Sequence, residues 1–391
     1  MHAVNRSLSA VAFVFLCAVA GPVQSADPPT KLWERHPGSN SGDSVWAVAA
    51  DAAGAVAVAG ITLGSIGKAN AGGEDVFVIK YAPAGAVLWR RQLGTRNIDR
   101  PMGVATDADR NITVVGYTSG WLFGRNAGGW DGFVASYAPD GAVRWKHQLA
   151  SASDDFALAV ANDETGNALV AGNQGSSGLL IKYRPDGTEV WRRLFGASYT
   201  LGYGVAVAPS GNIVVAGLTH DSLAGPNYGG TDAFFAAYSP TGALQWTRQF
   251  GTANDEWVRS VAIAADGNIY VVGTEDPGPP DYVTRAFLAA FSPTGVVRWK
   301  RSFGGEVLDE GMGVAVDAAG SVVVTGQKFR QQFAASYTSG GTLRWTMNPP
   351  TRLDYQLFSV FDADDSLFLA GSIDTPAARG YFDGYLAKFA D

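Results

Sequence analysis

Pro83-Ala84-Gly85-Ala86-Val87-Leu88-Trp89 returns as Pro139-Asp140-Gly141-Ala142-Val143-Arg144-Trp145 and as Pro185-Asp186-Gly187-Thr188-Glu189-Val190-Trp191. Two further copies are Pro240-Thr241-Gly242-Ala243-Leu244-Gln245-Trp246 and Pro293-Thr294-Gly295-Val296-Val297-Arg298-Trp299. A degenerate copy follows, Ser339-Gly340-Gly341-Thr342-Leu343-Arg344-Trp345. The Trp-to-Trp steps are 56, 46, 55, 53 and 46 residues. The turn-to-Trp spacing never changes, so the variation belongs to a loop elsewhere in the unit. A fixed period of this size is a repeat architecture, and it decides the fold before any single residue is read.

Working outward from the marker, the first unit holds four runs, residues 44–51 (SVWAVAAD), 55–62 (AVAVAGIT), 75–82 (DVFVIKYA) and 87–94 (VLWRRQLG). They are rich in Val, Ile and aromatics and bounded by turn residues, which predicts strands, here A to D. A and B are joined by turns such as Asp266-Gly267-Asn268 and Ser210-Gly211-Asn212, which suit a positive φ. C and D are joined by Pro-x-Gly, and the B-to-C link is the variable one. Four-stranded units repeated radially make a β-propeller. The last unit runs through residues 381–389 and stops before its turn and Trp, whereas residues 27–36 carry Pro29, Trp33 and Arg35. The expectation is an all-β, seven-bladed β-propeller of four-stranded antiparallel blades, closed by the N-terminal strand completing the last blade.

Residues 1–25 read as a secretory signal, with Arg6 ahead of a short apolar stretch at 8–20 and small residues near Ser25. The domain expectation is therefore a removed signal at 1–25 and one propeller at 26–391. Cys17, the one cysteine, lies in the signal, so the mature chain is expected to hold no disulfide and no cysteine metal ligand. Export implies a secreted or periplasmic protein without a membrane span. The formal net charge of −7 argues against a nucleic-acid partner, whose phosphates call for a basic face. A monomer is expected.

Val-Val-x-Gly-x-Thr and Gly-Gly-x-Asp recur inside the units. Gly60-Ile61-Thr62, Gly116-Tyr117-Thr118 and Gly217-Leu218-Thr219 carry the first; Gly72-Gly73-Glu74-Asp75, Gly128-Gly129-Trp130-Asp131 and Gly229-Gly230-Thr231-Asp232 carry the second. With the Pro-x-Gly turn and Trp, the unit resembles the seven-bladed β-propeller repeat family (SBBP) of bacterial exported proteins. Blades 3 and 6 depart, with short B–C links and no Gly-Gly-x-Asp. The resemblance implies the fold and export. It implies no catalytic motif.

Propeller connectivity places the D-to-A and B-to-C links on one face, the top, and loops on a rigid scaffold are the usual place for binding. One top-face column reads Asp43, Asp99, Asp155, Thr200, Glu256, Asp309 and Asp354. The preferred reading is local capping of loop amides; a ring binding a cation or basic group is the alternative. Asp75, Asp131, Asp232 and Asp383 form a second set at the start of strand C, again read as caps. Asp107-Ala108-Asp109 and Asp362-Ala363-Asp364 have a faint calcium-loop look but lack its Gly and closing Glu, so calcium is a minor alternative to no cofactor. The residues after the outer Trp are mostly basic (Arg90-Arg91, Arg192-Arg193, Lys300-Arg301), with Thr346-Met347 the exception, and read as charge guarding an edge strand.

Candidate ligand-binding residues are Trp121, Phe123, His220 and Tyr228, on the long B–C loops of blades 2 and 4 that flank the short loop of blade 3. Trp130, Tyr282 and Tyr381 are further loop aromatics. Aromatics on loops suit sugar rings or peptide side chains. A ligand there is expected to be neutral or basic, given the acidic column. No Gly-x-Ser-x-Gly elbow, phosphate loop or zinc set appears. The leading function is a non-catalytic binding or scaffold propeller for an extracytoplasmic protein or glycan. The alternative is a polysaccharide lyase or glycosidase using carboxylates such as Asp99 or Glu256. A quinone-dependent dehydrogenase ranks below both: the marker is similar to the tryptophan docking repeat of those eight-bladed enzymes, but blade count and absent vicinal cysteines argue against it.

Overall fold

Each unit's runs of β-branched and aromatic residues form strands, and Gly at the turns supplies the left-handed backbone the hairpins need. Gly85, Gly141, Gly187, Gly242, Gly295 and Gly341 all have φ between +74° and +89°. A computed structural model describes residues 26–278, 283–304, 309–328, 331–349, 353–374 and 382–390, with the side chains of 353–356 and 374 left aside. The proposed signal at 1–25, Tyr282, Tyr381 and the side chain of Asp354 lie outside the described residues.

Seven four-stranded antiparallel sheets follow one another. Blade 1 is Asp43–Ala50, Val56–Thr62, Asp75–Tyr81 and Val87–Leu93, strands A to D in order. Blade 7 takes three strands from the end of the chain, Leu353–Phe361, Leu367–Asp374 and Phe382–Ala390. Its fourth is Thr30–Arg35, paired antiparallel with Phe382–Ala390. The N-terminal strand thus supplies the outer strand of the last blade. Each seam between adjacent blades has its own buried apolar cluster, seven in all, including one that joins Val45 and Phe77 of blade 1 to Phe368 and Leu386 of blade 7. Burial of these clusters is the main driving force for the ring.

The outer Trp and the Arg two residues on do more than guard an edge. Trp33 Nε1 donates to Pro83 O at 2.9 Å and Arg35 Nε to Gly85 O at 2.7 Å, both in the C–D turn of the next blade. Trp89 and Arg91 repeat this on Pro139 and Gly141 at 2.9 and 2.7 Å. Arg193, Arg248 and Arg301 bond Gly242, Gly295 and Gly341, and His147 takes the same role on Gly187. Each Arg lies over its own Trp ring. The turn glycine is required twice over, since a Cβ on Gly85 would also meet the Trp33 ring at 3.0 Å. The edge-charge reading is therefore corrected for this Arg: it is a latch between blades, made possible because the turn exposes carbonyls that the ladder leaves free.

In Asp43–Ala50, strand A of blade 1, buried and half-buried positions alternate, with the half-buried side toward the axis. In six blades the A–B ladder skips one strand A residue: Trp46, Met102, Leu158, Tyr203, Arg259 and Met312. A bulge of this kind kinks the strand and re-aims the extra side chain. The facing glycine of strand B makes room. A Cβ on Gly60, Gly116 or Gly217 would lie 2.1, 2.0 or 1.9 Å from a strand A carbonyl oxygen. That is the physical content of the repeated Val-Val-x-Gly.

Candidate functional site

The acidic column turns inward. Asp43, Asp99, Asp155 and Glu256 are buried. Asp99 accepts from Thr95 N at 2.6 Å and Thr95 Oγ1 at 2.9 Å, and also from Thr118 Oγ1. Asp43 accepts from Ser39 N at 2.6 Å and Ser39 Oγ at 2.9 Å. Asp155 accepts from Ser151 Oγ and Gly175 N, each at 2.9 Å. Glu256 accepts from Thr252 N at 2.7 Å and Thr252 Oγ1 at 2.6 Å. A Ser or Thr four residues ahead is thus the recurrent donor, and the carboxylate folds the D–A link onto its own blade. Thr200, the one neutral member, bonds Thr219 Oγ1 at 2.8 Å instead. Asp309 is buried as well. Burial pushes Asp43, Asp99 and Asp155 above the usual carboxylate range, and Glu256 to about 7, with Asp232 and Glu275 adding to the last.

The second set is held by a residue that reading the sequence alone passed over. Gln92 Nε2 donates to Asp75 Oδ2 at 2.8 Å, and its Oε1 accepts from Ile66 N at 2.6 Å. Gln148 does the same for Asp131 and Phe123, and Gln249 for Asp232 and Leu223. Each Gln stands three residues after the outer Trp, and only in the blades with Gly-Gly-x-Asp loops. That co-occurrence was the available signal. Of the calcium-like stretches, Asp107 accepts from Asn111 N and Nδ2 at 2.8 Å each, and Asp362 from Ser366 N at 2.9 Å and Lys388 Nζ at 2.8 Å. Both are hairpin turns.

The four candidate ligand residues do not converge. Trp121 is 70 % exposed on the top loop of blade 2. Phe123 instead packs down on Phe133, with Lys146 Nζ over its ring at 5.0 Å. His220 Nε2 lies 3.0 Å from Thr231 Oγ1, and its ring meets that of Tyr199 at 4.8 Å, tilted by 45°; Tyr199 is 53 % exposed. Tyr228, 50 % exposed, borders a cleft of about 380 Å³ between blades 4 and 5, walled by Phe235, Phe250, Glu256 and Phe287. Trp130 meets Tyr117 edge-on at 5.1 Å, and Tyr117 meets Phe156 at 4.9 Å, near the axis.

A different group does converge. Trp46, Met102, Leu158, Tyr203, Arg259, Met312 and Phe358 form one ring around the axis. It tops a cavity of about 180 Å³ whose next tier includes Val48, Val104, Val160, Val205, Val261 and Val314. An eighth apolar cluster sits at this mouth, Leu158, Leu201 and Leu218 with Phe156 and Trp257 against it. The Val tier repeats and the ring above it does not. Reading the sequence alone singled out none of these strand A residues; variation at one register position was the available signal.

This geometry defines a seven-bladed β-propeller with top-face loops and an asymmetric axial mouth. Residues 245–274 match the beta-propeller repeat called SBBP. An uncharacterized WD repeat-containing protein of Acanthamoeba polyphaga mimivirus is 24 % identical over 81 % of this chain, which spans 28 % of that relative's length. Among solved structures, Sqt1 from Chaetomium thermophilum is similar at TM-score 0.54 and 11 % identity, over 93 % of this chain and 99 % of that one. YCF48 bound to D1 peptide is similar at 0.52 and 11 %, over 94 % and 97 %. A europium-containing methanol dehydrogenase is similar at 0.50 and 10 %, over 86 % and 80 %. These likenesses show the fold. No helix among the described residues is long and apolar enough to cross a membrane.

Proposed function

We propose that this chain is an exported, non-catalytic binding or scaffold propeller that engages a protein or glycan in the periplasm or outside the cell through its top face. The observation that carries the reading is the display of large aromatic side chains there, Trp121, Tyr199 and Tyr228, each at least half exposed on a scaffold whose seams are closed. Exposed aromatics give contact area at low entropic cost. The propeller YCF48 holds a D1 peptide, so a similar fold presents a peptide-binding surface in that protein. Asp99 and Glu256, which a lyase or glycosidase would use, are buried and bonded to their own loops, which favours binding over hydrolysis. The residues before Ala26 supply the export reading through Arg6 and the apolar stretch behind it.

The test is an array of glycans, peptidoglycan fragments and peptides probed with residues 26–391. Trp121→Ala and Tyr228→Ala should each weaken a captured ligand about tenfold or more without moving the melting temperature. Binding that survives both changes and is lost on editing the bottom hairpins would defeat the top-face reading.

A further inference from the structure

Seven strand A side chains meet at the axial mouth, and six of them are apolar or aromatic; the exception is Arg259. Its guanidinium carbon lies 5.0 Å from the Tyr203 ring centre and 5.8 Å from that of Trp257. Among the described residues no carboxylate lies within ion-pair distance of it. Arg259 Nε is buried without a hydrogen-bond acceptor, and so is Trp257 Nε1 two residues away on the same strand face. Arg100, the arginine that lies over Trp46, is held by Glu74. Two neighbouring buried donors without acceptors are costly to keep. They sit where bulges aim side chains at the axis, at the ring where the seven blades differ.

We propose, on the footing of the top-face binding reading, that the axial mouth is a seat for the C-terminal carboxylate of an apolar peptide, with Arg259 and Trp257 as its donors. A carboxylate offers the acceptors that Arg259 Nε and Trp257 Nε1 lack, and guanidinium–carboxylate bonds are the strong kind. The wall fixes the rest of the ligand. Met102, Leu158, Met312 and Phe358 offer apolar surface and, through Met, adaptable packing. A sugar acid would bury hydroxyls against that wall without partners, which disfavours it. The cavity of about 180 Å³ below has room for one large side chain. Asp43, Asp99, Asp155 and Glu256 of the acidic column are buried and bonded within their own loops, away from the ring that lines the mouth.

The probe is acetyl-Gly-Gly-Leu-Phe as free acid and as C-terminal amide, titrated calorimetrically into residues 26–391. The acid should bind about tenfold or more tighter than the amide, and Arg259→Gln should abolish that difference while the melting temperature holds. Equal binding of acid and amide, no binding of the acid at millimolar concentration, or full retention by Arg259→Gln each overturns the axial seat. So does Arg259-dependent binding of an oligogalacturonate with no peptide preference, which would make the ligand an acidic glycan. If the axial seat fails while array ligands remain sensitive to Trp121→Ala, the top-face reading stands without it; if Arg259 governs the peptide and Trp121 governs nothing, the ligand face narrows to the axis.

Discussion

The rim and the axial mouth of this propeller are built from the same repeat and treat it in opposite ways. At the rim, Trp returns blade after blade, and in five of the seven copies the Trp and the Arg or His two residues on both bond the next blade's turn. At the mouth, the same bulge returns in six blades but aims Trp, Met, Leu, Tyr, Arg and Met. Identical residues at equivalent positions can only do what every blade needs, which is closure. A site for one ligand needs an asymmetry, and the fold holds its backbone constant there while the side chains diverge. The rim should therefore be expensive to alter and the mouth cheap.

The largest effect belongs to the closing strand. Deleting residues 26–36 removes the outer strand of blade 7, leaves the Phe382–Ala390 edge unpaired, and breaks the bonds to Pro83 and Gly85. Loss of a cooperative transition, or a fall of more than ten degrees in melting temperature, is the expected order of effect for a blade edge opened on an apolar seam. Trp33→Ala alone should cost about 2 to 4 kcal/mol by chemical denaturation, below the figure for a fully buried Trp because Trp33 is half-buried. A deletion that melts like the parent would show that the ring closes some other way.

Next comes the latch itself. Arg91→Ala removes two cross-blade bonds, to Gly141 and Asp140, and the cover over Trp89. A loss of about 1 to 2 kcal/mol is expected. Arg91→Lys should recover little, since a point charge cannot keep the forked geometry. Full rescue by Lys would return the rim to simple edge charge.

A smaller effect is pH-dependent. Glu256 has its carboxyl pushed up to about 7 by burial and by Asp232 and Glu275. The folded form therefore holds a proton that the unfolded chain, with an ordinary Glu near 4.5, has released. Stability from this group is fully present below about 4.5 and is lost as pH rises through about 7. Asp232 Oδ1 is buried without a donor, and both it and Glu256 Oε2 lie within 3.0 Å of where a Cβ on Gly251 would stand. Glu256→Gln should flatten the melting temperature between pH 5 and 8, by a few degrees relative to the parent. A parent curve already flat across that window would show that Glu256 is not raised in the folded protein.

How much of this could be read beforehand follows the same division. Blade count, strand order and the closing role of Trp33 and Arg35 were legible because they repeat, and repetition makes a weak local signal strong. The use made of Arg91 and Gln92 was not, since neither shows its partner until the next blade's turn and the loop at Ile66 are folded against it. Trp121 and Tyr228 were legible as exposed loop aromatics, but loop composition says nothing of convergence, and Phe123 turned inward. Arg259 is the one basic residue at its register position, but reading the sequence alone passed over it. Its meaning depended on the bulge, and a bulge is a property of the pair of strands.

The smallest expected effect is the sharpest test of the comparison. Arg259→Met replaces a guanidinium whose Nε is buried without an acceptor by an unbranched apolar side chain, in a ring that already holds Met102 and Met312. If Arg259 were a structural part like Arg91, the change would cost about as much as the latch. If it is kept for a ligand, the ligand-free fold loses an unsatisfied donor and gains an apolar contact, so stability should be unchanged or rise by about 1 kcal/mol. Trp257 Nε1 keeps its own unmet donor in either case, which is why a large gain is not expected. Denaturant midpoints of Arg91→Ala and Arg259→Met measured side by side should move in opposite directions, or one should move and the other stay. A shared destabilisation of similar size would mean that the mouth, like the rim, is architecture.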